Sequence, residues 1–178
     1  MLSLPLQLDP GSSLADTARF FADDPFLLIL DSAGHHRERD SRYSVLTSDP
    51  VNICRIDNAI YGSDPFHTLR GWQQTLRSVV PPDSPGLPPF CGGIAGLLSY
   101  ELGAAFERLP QPPVDAFHTP ALLAALFDWA IVQDHLQNTL TAWVLPLHDA
   151  GTERLDWIRR RLQGTSCQAL HSAAPPPA

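Results

Sequence analysis

The feature that most constrains the fold is a long apolar run, Leu122 to Asp134, followed after Leu136-Gln-Asn138 by a second run from Thr139 to Leu145. Two long runs around a short polar turn read as a hairpin of long strands. Most of the chain upstream reads as further short segments of the same kind. Residues 2 to 8 alternate apolar and polar, as a half-buried strand does. Phe26 to Leu30 is a continuous apolar run and reads as a buried strand, and Tyr43 to Thr47 and Val51 to Ile56 read as strands around the tight connection Ser48-Asp49-Pro50. Ala59 to Tyr61 suggests one more short strand after the Asp57-Asn58 turn. Eighteen prolines, twice the average usage of about 5%, punctuate the chain heavily. The densest stretch, PPDSPGLPP from Pro81 to Pro89, reads as an extended, semi-rigid connector.

Helical signals are fewer. Ser12 or Ser13 is placed to cap a short helix through Phe21, with Leu14, Ala18 and Phe21 on one face. Asp64-Pro65 supplies a cap and a first-turn proline for a stripe of Phe66, Leu69, Trp72, Leu76 and Val79. Ala104 to Leu109 reads as a helical turn ended by prolines. Leu155, Ile158 and Leu162 recur at helical spacing, with Arg159, Arg160 and Arg161 in the last turn, where they complement the helix dipole, and Gly164 beyond as a left-handed cap. Seven or eight strands and three helices make the expected class α+β, antiparallel β-sheets flanked by a few helices. Residues 1–164 are expected to form one domain, and residues 165–178, ending in Ala-Ala-Pro-Pro-Pro-Ala, a disordered linker or tail.

Composition excludes several functions. All 12 basic residues are arginines, so a lysine Schiff base, a lysine general base and a GxxxxGK[ST] phosphate loop are absent from these residues. A net charge of −7 argues against nucleic acid as a partner. The longest apolar run carries Asp128 and is shorter than the about 20 residues a membrane span needs. Three widely spaced cysteines, Cys54, Cys91 and Cys167, read as reduced thiols in a cytoplasmic protein.

Most candidate constellations have a plain reading. Gly92-Gly93-Ile94-Ala95-Gly96 lacks the GxGxxG spacing and reads as a strand that another backbone approaches closely. His35-His36 has no spaced partner for a metal and reads as a solvated loop, while His135 is assigned to the hairpin turn. Cys91 stands before two glycines but has no neighbour to activate it, and Glu101 and Glu107 are not paired as acid and base. The segment from Ser32 to Tyr43 is richer. Hydroxyls, a carboxylate and Arg42 gather at the ends of two strands, an arrangement that could hold the ammonium and carboxylate of an amino acid. Read locally, the same residues more readily make an arginine–aspartate pair that stitches a loop.

The order of segments is more specific than any one of them. Pro25-Phe-Leu-Leu-Ile-Leu-Asp-Ser-Ala-Gly34, Asp40-Ser-Arg-Tyr-Ser44, Ser48-Asp-Pro50, Pro89-Phe-Cys-Gly-Gly-Ile-Ala-Gly96, Ser99-Tyr-Glu-Leu102, Phe106-Glu-Arg-Leu-Pro110 and Phe127-Asp-Trp-Ala-Ile-Val-Gln-Asp-His135 follow one another. The series resembles the N-terminal domain of the aminodeoxychorismate synthase component I family, whose sibling is anthranilate synthase component I. Glu101-Leu-Gly-Ala-Ala-Phe-Glu-Arg-Leu-Pro110 looks more like the aminodeoxychorismate branch. The resemblance implies part of an enzyme of the p-aminobenzoate and folate pathway that aminates chorismate with ammonia from a glutamine amidotransferase subunit. It also implies that catalysis, its lysine and its Mg2+ belong to a C-terminal chorismate-binding domain beyond these residues. This chain would then have no catalytic residue, no cofactor and no activity alone. Ser32, Asp40, Ser41, Arg42 and Tyr43 match a tryptophan-type pocket, which tips the cluster towards a ligand site; without the wall the C-terminal domain provides, its affinity should be weak. A regulatory domain of anthranilate synthase component I with a tryptophan feedback site, or a stand-alone amino-acid-binding module, are the alternatives.

Overall fold

The structure, a computed structural model, describes residues 1–6, 13–32, 41–80, 86–110, 116–147 and 151–163. The expected linker at 165–178, the Gly164 cap, His35-His36 and most of the proline-rich connector lie outside the described residues. Eight strands and three α-helices are present among them. They are β1 (Leu2–Leu6), α1 (Leu14–Ala18), β2 (Leu28–Leu30), β3 (Tyr43–Thr47), β4 (Asn52–Ile56), α2 (His67–Val79), β5 (Gly93–Leu98), β6 (Leu122–Phe127), β7 (Trp129–Asp134), β8 (Thr139–Val144) and α3 (Gly151–Gln163). They build two antiparallel sheets, a five-stranded one in the order β1-β8-β7-β3-β2 and a three-stranded one in the order β4-β6-β5. The α+β class read from the sequence is what the chain adopts.

Local signals place the helices. Ser13 caps α1 reciprocally: its Oγ accepts from the Asp16 N–H at 3.2 Å, and the Asp16 carboxylate accepts from the Ser13 N–H at 2.9 Å. A 3-10 turn, Arg19–Phe21, continues the helix and buries Phe21. Leu14, Ala18 and Phe21 pack with Leu155 and Ile158 of α3 onto Leu46, Trp129, Ile131, Leu140, Ala142 and Val144, the main core on one face of the five-stranded sheet. The second helix starts later than the expected Asp64 cap and first-turn Pro65: His67 is its first residue, Phe66 stands at the cap position without a side-chain cap, and the Asp64 carboxylate accepts from the Phe66 N–H at 3.2 Å and pairs with Arg70. Its stripe of Leu69 and Trp72 lies half-buried on Cys54, Ile56, Ile94, Leu122 and Ala124 of the three-stranded sheet.

Several expectations need correction. The run Leu122 to Asp134 is two strands in different sheets, not one long strand: it bends at Asp128, so β6 belongs to the small sheet and β7 to the large one, and only β7 pairs with β8. Phe26 to Leu30 is not a buried strand. Only Leu28–Leu30 is extended, at the edge of the large sheet, with Ile29 39% and Leu30 52% exposed, because β3 covers one side of β2 and nothing described covers the other. Ala59 to Tyr61 forms no strand; the backbone turns there, and the Gly62 N–H donates to the Ala105 carbonyl at 2.9 Å. The helical turn expected at Ala104 to Leu109 comes earlier, as a 3-10 turn over Tyr100–Ala105.

The glycine-rich strand behaves as a close-approach segment. A Cβ on Gly96 would overlap the Leu123 carbonyl oxygen and lie 2.7 Å from the Ala124 Cα on the neighbouring β6. No side chain fits between those backbones.

The chain changes sheets at two places that lie side by side. It crosses from β3 to β4 through Ser48–Val51 and from β6 to β7 at Asp128. Arg154 of α3 holds both: its Nε donates to Asp128 Oδ2 at 3.0 Å and its Nη1 to Asp49 Oδ2 at 2.7 Å. Trp129 ties the same crossing, its Nε1 donating to the Ser48 carbonyl at 2.8 Å while Thr47 Oγ1 donates to the Trp129 carbonyl at 2.7 Å.

Candidate functional site

Three strand ends converge at one corner of the large sheet: the end of β2 with Asp31 and Ser32, the start of β3 with Ser41 to Ser44, and the end of β7 with Asp134 and His135. The pairing of β3 between β2 and β7 makes this corner, with Leu30 opposite Val45 and Tyr43 opposite Asp134. Ser44 is its centre and is fully buried. Its Oγ lies 3.0 Å from the Ser32 N, 2.9 Å from Asp31 Oδ1 and 2.7 Å from His135 Nε2. Ser32 Oγ donates to the Tyr43 carbonyl at 2.6 Å, so its hydroxyl proton is taken up and its lone pairs remain acceptors.

Arg42 has a different partner from the one local sequence suggests. Its Nε donates to Asp134 Oδ1 and Oδ2 at 3.1 and 3.0 Å, and its Nη2 to Oδ2 at 2.6 Å. The guanidinium also stands over the Tyr43 ring, 4.7 Å from its centroid. Asp134 Oδ1 accepts as well from the Leu136 and Gln137 N–H groups, so this carboxylate caps the hairpin turn. His135, assigned to that turn from the sequence, sends its Nε2 to Ser44 instead, while its N–H donates to the Arg42 carbonyl at 2.8 Å. Of the sequence-derived site residues, Ser32, Ser41, Arg42 and Tyr43 come together at this corner, and Asp40 lies outside the described residues.

The residues that sequence reasoning left out of the site are Asp31, Ser44, Asp134 and His135. The last two stand some ninety positions along the chain from Arg42 and Ser44. The signal that would have found them is strand pairing: placing the Asp134-His135 end of β7 beside Arg42-Tyr43-Ser44 brings all four in.

Electrostatics favour a fixed corner. The hydrogen bond from Arg42 holds the Asp134 carboxyl below the usual aspartate range, against the opposing effect of burial and with help from the Gln137 and Leu136 amides. Since the folded value lies below the unfolded one, the stabilisation is present above about pH 4, the ordinary aspartate value, and is lost as pH falls through the depressed value. Asp134→Asn removes this titration. The gap in urea midpoint between the unmodified protein and Asp134→Asn should therefore be wide at about pH 7 and narrow at about pH 2. An equal gap at both would show that the carboxylate charge contributes nothing.

Other constellations carry little chemistry. Burial pushes the Cys91 thiol up to about 11, the opposite of an activated thiolate. No three His, Cys, Asp or Glu side chains are grouped to hold a metal ion among the described residues, and no described helix is long and apolar enough to cross a membrane.

No protein-family model matches the chain. Whole-protein comparison is more informative. In sequence the chain is similar to the first components of two synthases. The chain is 30% identical over 145 residues to aminodeoxychorismate synthase component 1 of Salmonella typhimurium, a match covering 75% of this chain and 31% of that protein. It is 34% identical over 162 residues to anthranilate synthase component 1 of Mycobacterium tuberculosis, covering 84% of this chain and 31% of that protein. Anthranilate synthase component 1 of Thermus thermophilus is 32% identical over 146 residues, 79% of this chain and 31% of its own length. Over its matched residues the chain belongs to the family of aminodeoxychorismate synthase component 1 and anthranilate synthase component 1. It spans about a third of the length of these relatives.

Proposed function

We propose that the chain serves as the N-terminal, non-catalytic domain of an aminodeoxychorismate synthase component 1, and that its strand-end corner takes an amino acid of the tryptophan type. The observation that carries the ligand reading is the juxtaposition of an exposed Asp31 carboxylate with Ser32 Oγ, whose proton is already given away. Both are acceptors, as an ammonium group requires. Arg42 uses its Nε and Nη2 edge for Asp134, so a ligand carboxylate would meet the Nη1 edge. Calorimetric titration with L-tryptophan at up to millimolar concentration should give saturable heat, and its absence would sink this reading of the corner.

The scaffold reading is supported by the outer face of the small sheet. Opposite the face under α2 stand Ile53, Ala95, Leu97 and Leu123, with Ile53 48% and Leu97 47% exposed, and the single charge of Arg55 opposite Leu123. A largely apolar sheet face of this kind suits packing against more protein, here the chorismate-binding part that the resemblance implies. Chorismate amination, with a glutamine amidotransferase subunit supplying ammonia, is the reaction this domain would support from outside the chemistry. The resemblance implies that Mg2+ belongs to that other part, and no step here runs through it. The second reading, the regulatory domain of an anthranilate synthase component 1, draws on the 34% identity to the mycobacterial protein. Supplying the chain with the remaining part of the Salmonella relative, and separately with that of the mycobacterial relative, discriminates the two. Amination restored in the first pairing supports the first reading; restoration in the second pairing alone, or in neither, counts against it.

A further inference from the structure

Ser44 Oγ sits at the meeting point of three groups, and a hydroxyl has one proton and two lone pairs to give them. The Ser32 N–H takes one lone pair at 3.0 Å. Asp31 Oδ1, at 2.9 Å, belongs to a carboxylate and can only accept, so the Ser44 proton goes there. What remains for His135 Nε2, at 2.7 Å, is the second lone pair. That contact is a hydrogen bond only if Nε2 carries a proton. With the proton on Nδ1 alone, two acceptors would compete for one hydroxyl proton, and either Asp31 or His135 would lose its bond inside a fully buried centre.

The three residues thus form a directed chain, His135 Nε2–H to Ser44 Oγ–H to Asp31 Oδ1. It runs from the half-buried hairpin end of β7 through the fully buried hydroxyl on β3 to the exposed carboxylate at the end of β2. The edge strand β2 has only three residues and is paired on one side, so its own ladder does little to fix Asp31. The Arg42–Asp134 bonds and the turn that Asp134 caps fix the other end of the chain, because His135 follows Asp134 directly and its N–H is held by the Arg42 carbonyl. Rigidity passes from the hairpin to the edge through Ser44.

We propose that His135 is a positioning residue of the amino-acid site: through Ser44 it orients the Asp31 carboxylate to receive the ligand's ammonium group. The inference rests on the ligand reading given above. A glutamine at 135 keeps an N–H near the place of Nε2, whereas leucine keeps the bulk and loses the donor.

The test uses the full chain and L-tryptophan as the probe. His135→Leu should weaken binding about tenfold or more, and His135→Gln should stay within about threefold of the unmodified protein. In the ligand-free protein, nitrogen NMR of the histidines, with the His135 signal assigned by its loss in His135→Gln, should show Nε2 protonated, and Ser44→Ala should shift that tautomer balance. Unchanged affinity in His135→Leu overturns the positioning role while leaving the ligand site standing. A proton on Nδ1 alone overturns it whether or not His135→Leu folds. If the unmodified protein itself gives no heat with L-tryptophan, the ligand reading fails and the positioning role fails with it.

Discussion

Replacing Arg154 by leucine is expected to cost about 3–5 kcal/mol, because it leaves a buried carboxylate without its counter-charge. The Arg154 side chain is only 16% exposed and that of Asp128 13%. Asp128 Oδ1 already lacks a hydrogen-bond partner among the described residues, so losing the guanidinium strips the other oxygen as well. Burial pulls the Arg154 proton affinity down, and the bonds to Asp49 and Asp128 more than offset it, which keeps the guanidinium charged in place. The measurement is a urea titration of Arg154→Leu, Asp128→Asn and the double variant. The double variant should recover part of the loss, since neither charge is then left alone. Additive losses, with no recovery, would show that the pair is not the cause. Because Arg154 grips both places where the chain changes sheets, the loss should appear as one cooperative transition.

The second large effect is expected at Trp129. It is fully buried, its ring centroid lies 5.1 Å from that of Phe21 and 5.5 Å from that of Trp157, and its Nε1 satisfies the Ser48 carbonyl. Trp129→Ala should cost about 3–5 kcal/mol from lost burial and the cavity left behind. Against a typical total of about 5–15 kcal/mol, that is a large share of the stability. Trp129→Phe keeps most of the ring contacts and loses the N–H donor, and should cost about 1–3 kcal/mol. Thermal midpoints check both, at about 2–4 °C per kcal/mol for a chain of this size. Equal losses in the two variants would mean that packing around the indole contributes little beyond its hydrogen bond.

The parts of the fold legible in the sequence are those set by neighbours along the chain. Ser13 and Asp16 make a capping box within one turn, and Leu155, Ile158 and Leu162 mark α3 by spacing alone. The hairpin of β7 and β8 follows from two apolar runs around Leu136-Gln-Asn138, where Asn138 takes the positive φ of +52° that asparagine tolerates. The two largest misreadings concern where a strand ends up. Phe26 to Leu30 is as apolar as a central strand, yet it lies at an edge, since apolarity does not say how many partners a strand finds. Asp128 marked the change of sheets, but a single aspartate in an apolar run reads equally as a residue on the outer face.

The same division holds at the corner. Ser32, Ser41, Arg42 and Tyr43 lie close together in sequence and could be picked out as a group, together with Asp40. The partner of Arg42 could not, because Asp134 reaches it only through the pairing of β3 with β7. Nor could the tie from Ser44 to His135. The resemblance pointed to these strand ends but not to how they are wired.

The bend at Asp128 has a consequence for how this chain can change. One ribbon, Leu122 to Asp134, serves as the central strand of the small sheet and as an inner strand of the large one. Side chains along a strand alternate faces with a period of two. Deleting or inserting one residue within the ribbon would turn over every side chain between that point and the nearest fixed register. The slip would reach Asp128 itself, and the small sheet would lose its fit to α2 or the large sheet its fit to α1 and α3. Substitutions there can be repaired by neighbours, but a shift in length cannot. The length of this ribbon should therefore be far less variable than its composition.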